Sequence, residues 1–226
     1  MNVDIVKSIA ALPGTAVLVA LLIAAGLLVV LTNWRLLIFA LGAQYILIGL
    51  MLTRVVPIEL AAVKTLVGVM ICPVLYITAR RVHWGQVEED SDTEEEVVRP
   101  QRRWWWIIGA GLPVRVIVTA LALAMSISLA SRNPLPITAD QTLSRDFTIG
   151  AFSVMLLGLI NAALAENPLK VGLGLLSFLA GFELFFTAVE PTLTIVGLLG
   201  LTNLILALAI SYLTTAWASR HSEVKA

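Results

Sequence analysis

The chain has 226 residues, 59% of them hydrophobic and 13% charged, where ordinary soluble domains carry roughly 45–50% apolar and about 25% charged residues. Twelve of the 30 acidic and basic residues crowd into 80–103, leaving the rest poorer still in charge, so a water-soluble globule is excluded. The formal net charge is zero, and no basic patch with interleaved aromatics lies away from a membrane boundary, which sets nucleic acid aside as a partner.

Several apolar runs reach about 20 residues, enough to cross ~30 Å of hydrocarbon at ~1.5 Å per helical residue. The pattern predicts an all-α polytopic membrane protein with about seven transmembrane helices, at 14–32, 35–53, 57–79, 105–130, 147–165, 168–189 and 191–218. Lys7 followed by the apolar run 15–31 superficially matches a signal peptide, but the run exceeds a usual h-region and reads better as an uncleaved first span. Asn33-Trp34-Arg35, 53–57, Glu166-Asn167-Pro168 and Glu190-Pro191 are short turns that force consecutive helices to run antiparallel.

The domain plan follows. A first three-helix unit covers 1–79, an acidic linker 80–104, a connecting transmembrane helix 105–130, an external loop 131–146 and a second three-helix unit 147–226. The linker holds the acidic run 88–96, whose self-repulsion and lack of apolar side chains keep it from packing. Trp104, Trp105 and Trp106 follow Arg102-Arg103, as in an interfacial aromatic belt beside cations. A straight helix over 104–131 would be ~42 Å long, so it either tilts or breaks near Gly109, Gly111 and Pro113.

A shift of 134 residues lays Asn33, Leu41, Leu50, Thr53, Val55 and Pro57 on Asn167, Leu175, Leu184, Thr187, Val189 and Pro191. One ungapped shift superposes two turns and hence three helices. With one helix intervening, the units run in the same direction, giving a 3 + 1 + 3 architecture with a parallel repeat. Arg35, Arg80, Arg81, Arg99, Arg102, Arg103, Lys170, Arg220 and Lys225 fall on one side, and Lys7, Arg54, Arg132 and Arg145 on the other. This bias places the first side in the cytoplasm, the N-terminus outside and the C-terminus inside.

Ionisable groups inside spans are costly and are functional candidates by default. Lys64 lies seven residues past Pro57, ~10 Å in from the outer boundary, and Glu183 eight residues before Pro191, ~12 Å from the same boundary. Matching depth in different helices suggests a pair, serving either proton relay or helix register. Gln44 and Asn203 near the centres of spans 2 and 7 suit interhelical hydrogen bonds, as does Asn161, and with Arg115 they complete the ion-path candidates led by Lys64 and Glu183. Arg115 is deep if the fourth span is continuous and reaches headgroups if 109–113 is interfacial. Glu59 and Glu190 at helix ends read as solvated or capping groups. Cys72 has no second thiol, His83 and His221 follow apolar runs, and no metal, cofactor or catalytic constellation is expected.

The stretch Leu31-Thr32-Asn33-Trp34-Arg35, with span 3 ending Pro73-Val74-Leu75-Tyr76-Ile77-Thr78-Ala79-Arg80, resembles component E of hydrogenase-4 type membrane complexes. The second half agrees through Ala165-Glu166-Asn167-Pro168-Leu169 and Thr202-Asn203-Leu204-Ile205-Leu206-Ala207. That half also resembles the three-helix subunit K of respiratory complex I and its counterpart in multisubunit cation/proton antiporters. The resemblance implies a cofactor-free membrane-arm subunit of the cell inner (plasma) membrane. Its partners would be antiporter-like and other membrane-arm subunits and lipid, and it would contribute to a proton or sodium path driven by a redox module elsewhere. Such subunits usually carry carboxylates in the second and third helices of the K-like unit. Here the third-helix position holds Asn203, and Glu183 falls further along the second helix than that pattern expects. A self-contained small transporter and a purely structural assembly protein remain the alternatives.

Overall fold

The computed structural model describes residues 14–31, 33–82, 104–132, 141–165, 167–190 and 192–223. Among them the chain is all-helical: α1 (Gly14–Val30), α2 (Trp34–Leu52), α3 (Ile58–Arg81), α4 (Trp104–Arg132), α5 (Gln141–Ala163), α6 (Pro168–Val189) and α7 (Leu193–Glu223). Six are long and apolar enough to cross a membrane, and α1, with 17 residues, is a shorter apolar helix. At ~1.5 Å per residue α1 reaches ~26 Å, at the short end of the range for a span. The chain is a multi-pass helical membrane protein.

Helix ends depart from the hydropathy boundaries for a common reason. The expected external loop 131–146 is shortened from both sides, because α4 runs to Arg132 and α5 begins at Gln141. Apolarity marks where hydrocarbon begins, whereas polar residues such as those around Arg145 and Asp146 continue a helix into the interface at little cost. The extension of α7 to Glu223, past the expected 218, has the same origin. The fourth span is one helix, with Pro113 inside it and no break over 109–113. The acidic run 88–96, Lys7, His83, Glu166 and Pro191, together with the side chains of Trp104–Trp106 and His221, lie outside the described residues.

Local chemistry explains the starts. Asn33 precedes α2 with extended backbone, and its Oδ1 accepts from the Arg35 amide at 3.2 Å, satisfying one of the orphan N–H groups of a helix start. Its repeat counterpart Asn167 has the same extended backbone before Pro168, whose missing N–H costs nothing in the first turn.

The principal helix contacts follow the repeat. Within each unit α1 packs on α2 and α2 on α3, matched by α5 on α6 and α6 on α7. Between units α1 meets α5, α2 meets α6 and α3 meets α7. Exchanging the units therefore leaves these pairings unchanged. Matched helices run in the same direction: Gly14 at the start of α1 lies beside Asp146 near the start of α5, and Gly200 of α7 faces Val67 of α3. One end of the bundle, the Asn33 face, carries the Asn33 and Asn167 turns. The opposite Glu190 face carries the turns after α2 and α6. Helix α4 stands outside the repeat, laying the small-residue stripe Thr119, Ala122, Ser126 and Ala130 against its neighbours α1 and α5.

The tightest seam joins α5 and α6. A Cβ on Gly158 would collide with the backbone of Phe178, and one on Gly174 with the backbone of Ala162. Small residues let membrane helices approach until dispersion contacts accumulate, in a medium where the hydrophobic effect gives little help. Gly158→Ala or Gly174→Ala is expected to destabilise the protein by about 1–3 kcal/mol, the usual penalty for overpacking. Gly197, with nothing within 4 Å of an added Cβ, is the control. Thermal unfolding in detergent should show Gly197→Ala melting at or above the parent temperature and both seam variants below it.

Candidate functional site

Lys64 lies on the buried stripe of α3, Ala61, Lys64, Gly68, Ile71, Leu75 and Ala79, at the helical spacing that turns one face inward. On α6, Ala180, Glu183, Leu184 and Thr187 are buried likewise. The two faces bring Lys64 Nζ to 2.8 Å from Glu183 Oε2, with the side chains 7% and 2% exposed. This contact is a direct, charge-assisted hydrogen bond linking the first unit to the second.

The pair breaks the pseudo-symmetry of the bundle. Under the shift of 134, Glu183 corresponds to Gly49 and Lys64 to Leu198. Gly49 is where Thr65 of α3 closes against α2, leaving no room for a side chain, and Leu198 is exposed. The ion pair therefore has no counterpart at the repeat-related positions.

Deeper in, Gln44 of α2 and Ser177 of α6 bond reciprocally. Gln44 Nε2 donates to Ser177 Oγ at 2.9 Å, and Ser177 Oγ reaches Gln44 Oε1 at 3.2 Å. This polar contact joins corresponding helices of the two units near their middles. Asn203 is buried on α7, and its Oδ1 has no partner among the described residues. Arg115 stands apart from the pair, donating from Nη1 to the carbonyl of Val29 at 3.1 Å. It thereby satisfies one of the carbonyls that the end of α1 leaves without an intrahelical partner, at the negative end of the helix dipole. That carbonyl lies at the Asn33 face, opposite the end of α3 that carries Lys64. Glu59 is exposed in the first turn of α3, and Glu190 is exposed just after α6.

Three buried residues around the pair escape a reading based on charge. Tyr45 of α2 packs against Gly68, and its hydroxyl has no partner among the described residues. Thr187 is one turn from Glu183 on α6, and its Oγ1 is likewise unpartnered, as is Glu183 Oε1. Ser177 is the third. Thr187 was findable from the i, i+4 spacing to Glu183, whereas nothing in the local sequence marks Tyr45 or Ser177. Among the described residues no group of three or more His, Cys, Asp or Glu is placed to hold a metal. An apolar cavity of about 220 Å³ between α4, α5 and α6, lined by residues including Met125, Phe152, Met155 and Phe178, offers no titratable group.

Removing one member of a buried pair strands the other charge, at a cost of about 3–5 kcal/mol, while removing both strands neither. Lys64→Met and Glu183→Gln should each lower the melting temperature strongly, and the double variant should recover much of the loss. Additive losses in this double-mutant cycle would mean that the contact carries no coupling.

No family model, curated protein or solved structure matches the chain.

Proposed function

We propose that the chain is an integral subunit of a hydrogenase-like, complex I-like or cation/proton antiporter-like membrane assembly, contributing to its membrane arm and to proton or sodium translocation. The observation that carries this reading is the Lys64–Glu183 pair, two ionisable groups held together deep between the units of a membrane bundle. Retaining both charges there costs desolvation that a pair of apolar residues would avoid. A site for moving charge is one reason to keep them. The resemblance of the Asn33 and Asn167 turns and the last span to hydrogenase-4 component E and complex I subunit K supplies the assembly type.

In this reading the N-terminus is outside the cell, the C-terminus is cytoplasmic, and the membrane is the cell inner membrane. The large exposed apolar side chains of α3, α4 and α7, such as Leu66, Met70, Leu121 and Tyr212, then meet lipid and neighbouring antiporter-like subunits. The parallel repeat favours a second reading, a self-contained transporter. The continuous course of α3 and α7 counts against it, because transporter repeats of that kind usually place their sites in interrupted helices.

Affinity purification from membranes in mild detergent tests the reading. Large antiporter-like subunits and a redox module should co-purify. Isolation of the chain alone, with ion transport in liposomes, would favour the transporter. Measured well below its lowered melting temperature, where the assembly still forms, Glu183→Gln should abolish ion coupling, and unchanged coupling there would reduce the pair to a fastening. A thiol introduced as Ser91→Cys should react only from the cytoplasmic side.

A further inference from the structure

We infer that a small water-bearing inlet runs from the Glu190 face to the Lys64–Glu183 pair and ends there, so that the pair exchanges protons with one side of the membrane only. The inference rests on the functional reading above and assigns it a ligand class, water and its proton in place of a metal cation, and a side of access.

Glu183 Oε2 is engaged by Lys64, but its second oxygen, Oε1, is buried without a partner among the described residues, and so is Thr187 Oγ1. These side chains are 2% and 1% exposed and lie one turn apart on the same face of α6. Buried polar groups are nearly always hydrogen-bonded, and a stranded carboxylate oxygen is among the costliest exceptions. The Lys64 ammonium has three donors and one is spent on Glu183, so it has donors to spare at the same spot. A carboxylate oxygen, a hydroxyl and an ammonium together satisfy the two to four partners that a buried water requires.

The charge at the site selects the ligand. Lys64 already neutralises Glu183, and a sodium ion seated there would face the ammonium with only a carboxylate oxygen and a hydroxyl to replace its hydration shell. A neutral molecule that both donates and accepts meets neither penalty.

Depth selects the side. Thr187 lies between Glu183 and the end of α6 at Val189, within ~5 Å of the Glu190 face. Towards the other face the facing helices bury Leu41, Ile38 and Leu37 on α2, Ile71 and Leu75 on α3, and Leu173 and Leu169 on α6. The Gln44–Ser177 contact above this layer is closed on itself. On α7 the orphan oxygens of Asn203 and Ser211 are two turns apart, ~12 Å, with the fully buried Ala207 between them. Among the described residues, the layer of α2, α3 and α6 on the inner side of the pair is apolar, and the buried polar groups farther in, such as Asn161 on α5 and Ser211 on α7, are separated from it by packed apolar side chains.

Silver ions, small enough for a narrow aqueous path, test this in vesicles of known sidedness. Single thiols are placed in a Cys72→Ser background, silver is added to one side, and the thiols left are counted with a fluorescent maleimide after denaturation. Thr187→Cys should lose most of its later labelling when silver is on the Glu190 side and little when it is on the other. Ala207→Cys and Leu173→Cys should stay reactive in both cases. Full labelling of Thr187→Cys with silver on the Glu190 side, an equal loss with silver on the other side, or silver protection of the inner thiols, would overturn the inlet. The unmodified protein provides a check that no variant's folding can obscure: a density map that resolves solvent should contain a water against Glu183 Oε1, and an empty site there would refute the proposal. Replacing choline by sodium at equal ionic strength should leave the parent's melting temperature unchanged. A sodium-specific rise lost in Thr187→Val would make the ligand a cation and overturn the assignment. Co-purification of partners is independent of all three results, so the inlet and the assembly reading fail separately.

Discussion

A charge in hydrocarbon has to be neutralised by something that is also in hydrocarbon, and this requirement ties Lys64 of α3 to Glu183 of α6. Each side chain is anchored on a helix of a different three-helix unit, so the contact needs both units in one relative position. A rotation of α3 by one residue, ~100°, would carry Lys64 out of the stripe shared with Gly68, Ile71 and Leu75 and turn it towards lipid. Register, rotation and the packing of the two units are therefore coupled through one 2.8 Å hydrogen bond.

The rest of the interface is arranged to make that bond reachable. Glycines at 158 and 174 let α5 and α6 approach until backbone meets backbone, which holds α6 rigidly against the bundle. Gly68 gives Tyr45 space against α3, and Gly49 does the same for Thr65. The α2–α3 seam is thus packed by side chains into glycine hollows, while the α5–α6 seam is packed by main chain. Helices α3, α4 and α7, by contrast, leave most of their apolar surface outward, as membrane helices at the rim of a bundle do.

The repeated helix pairings carry unequal chemistry. The pairings of α1 with α5, α2 with α6 and α3 with α7 persist across the repeat, yet the position of Glu183 in one unit is a glycine in the other. Among the described residues, Glu183 is the carboxylate that pairs with a lysine between the units, and its repeat-related position carries none. The neutral Gln44–Ser177 contact, set between the corresponding helices α2 and α6, fastens the units without charge.

Much of this molecule was legible in the chain itself. Apolar runs locate helices because hydrocarbon leaves the backbone no partner but itself, and the shift from Asn33 to Asn167 locates the repeat because an Asn with extended backbone precedes both α2 and α6. The depths of Lys64 and Glu183 follow from counting residues from a turn, since helical rise is fixed. Rotation about each helix axis is decided by neighbours that are distant in sequence. For that reason only the tertiary structure could show that these two charges face one another, that Arg115 reaches the Val29 carbonyl, and that Gln44 finds Ser177. Hydropathy registers the edge of hydrocarbon and is silent on how far a helix continues beyond it, which is why α5 and α7 are longer than their apolar cores. The orphan oxygens of Glu183, Thr187 and Tyr45 belong to the same class: polarity is written in the residue, but whether a partner stands within reach is settled only when the helices pack.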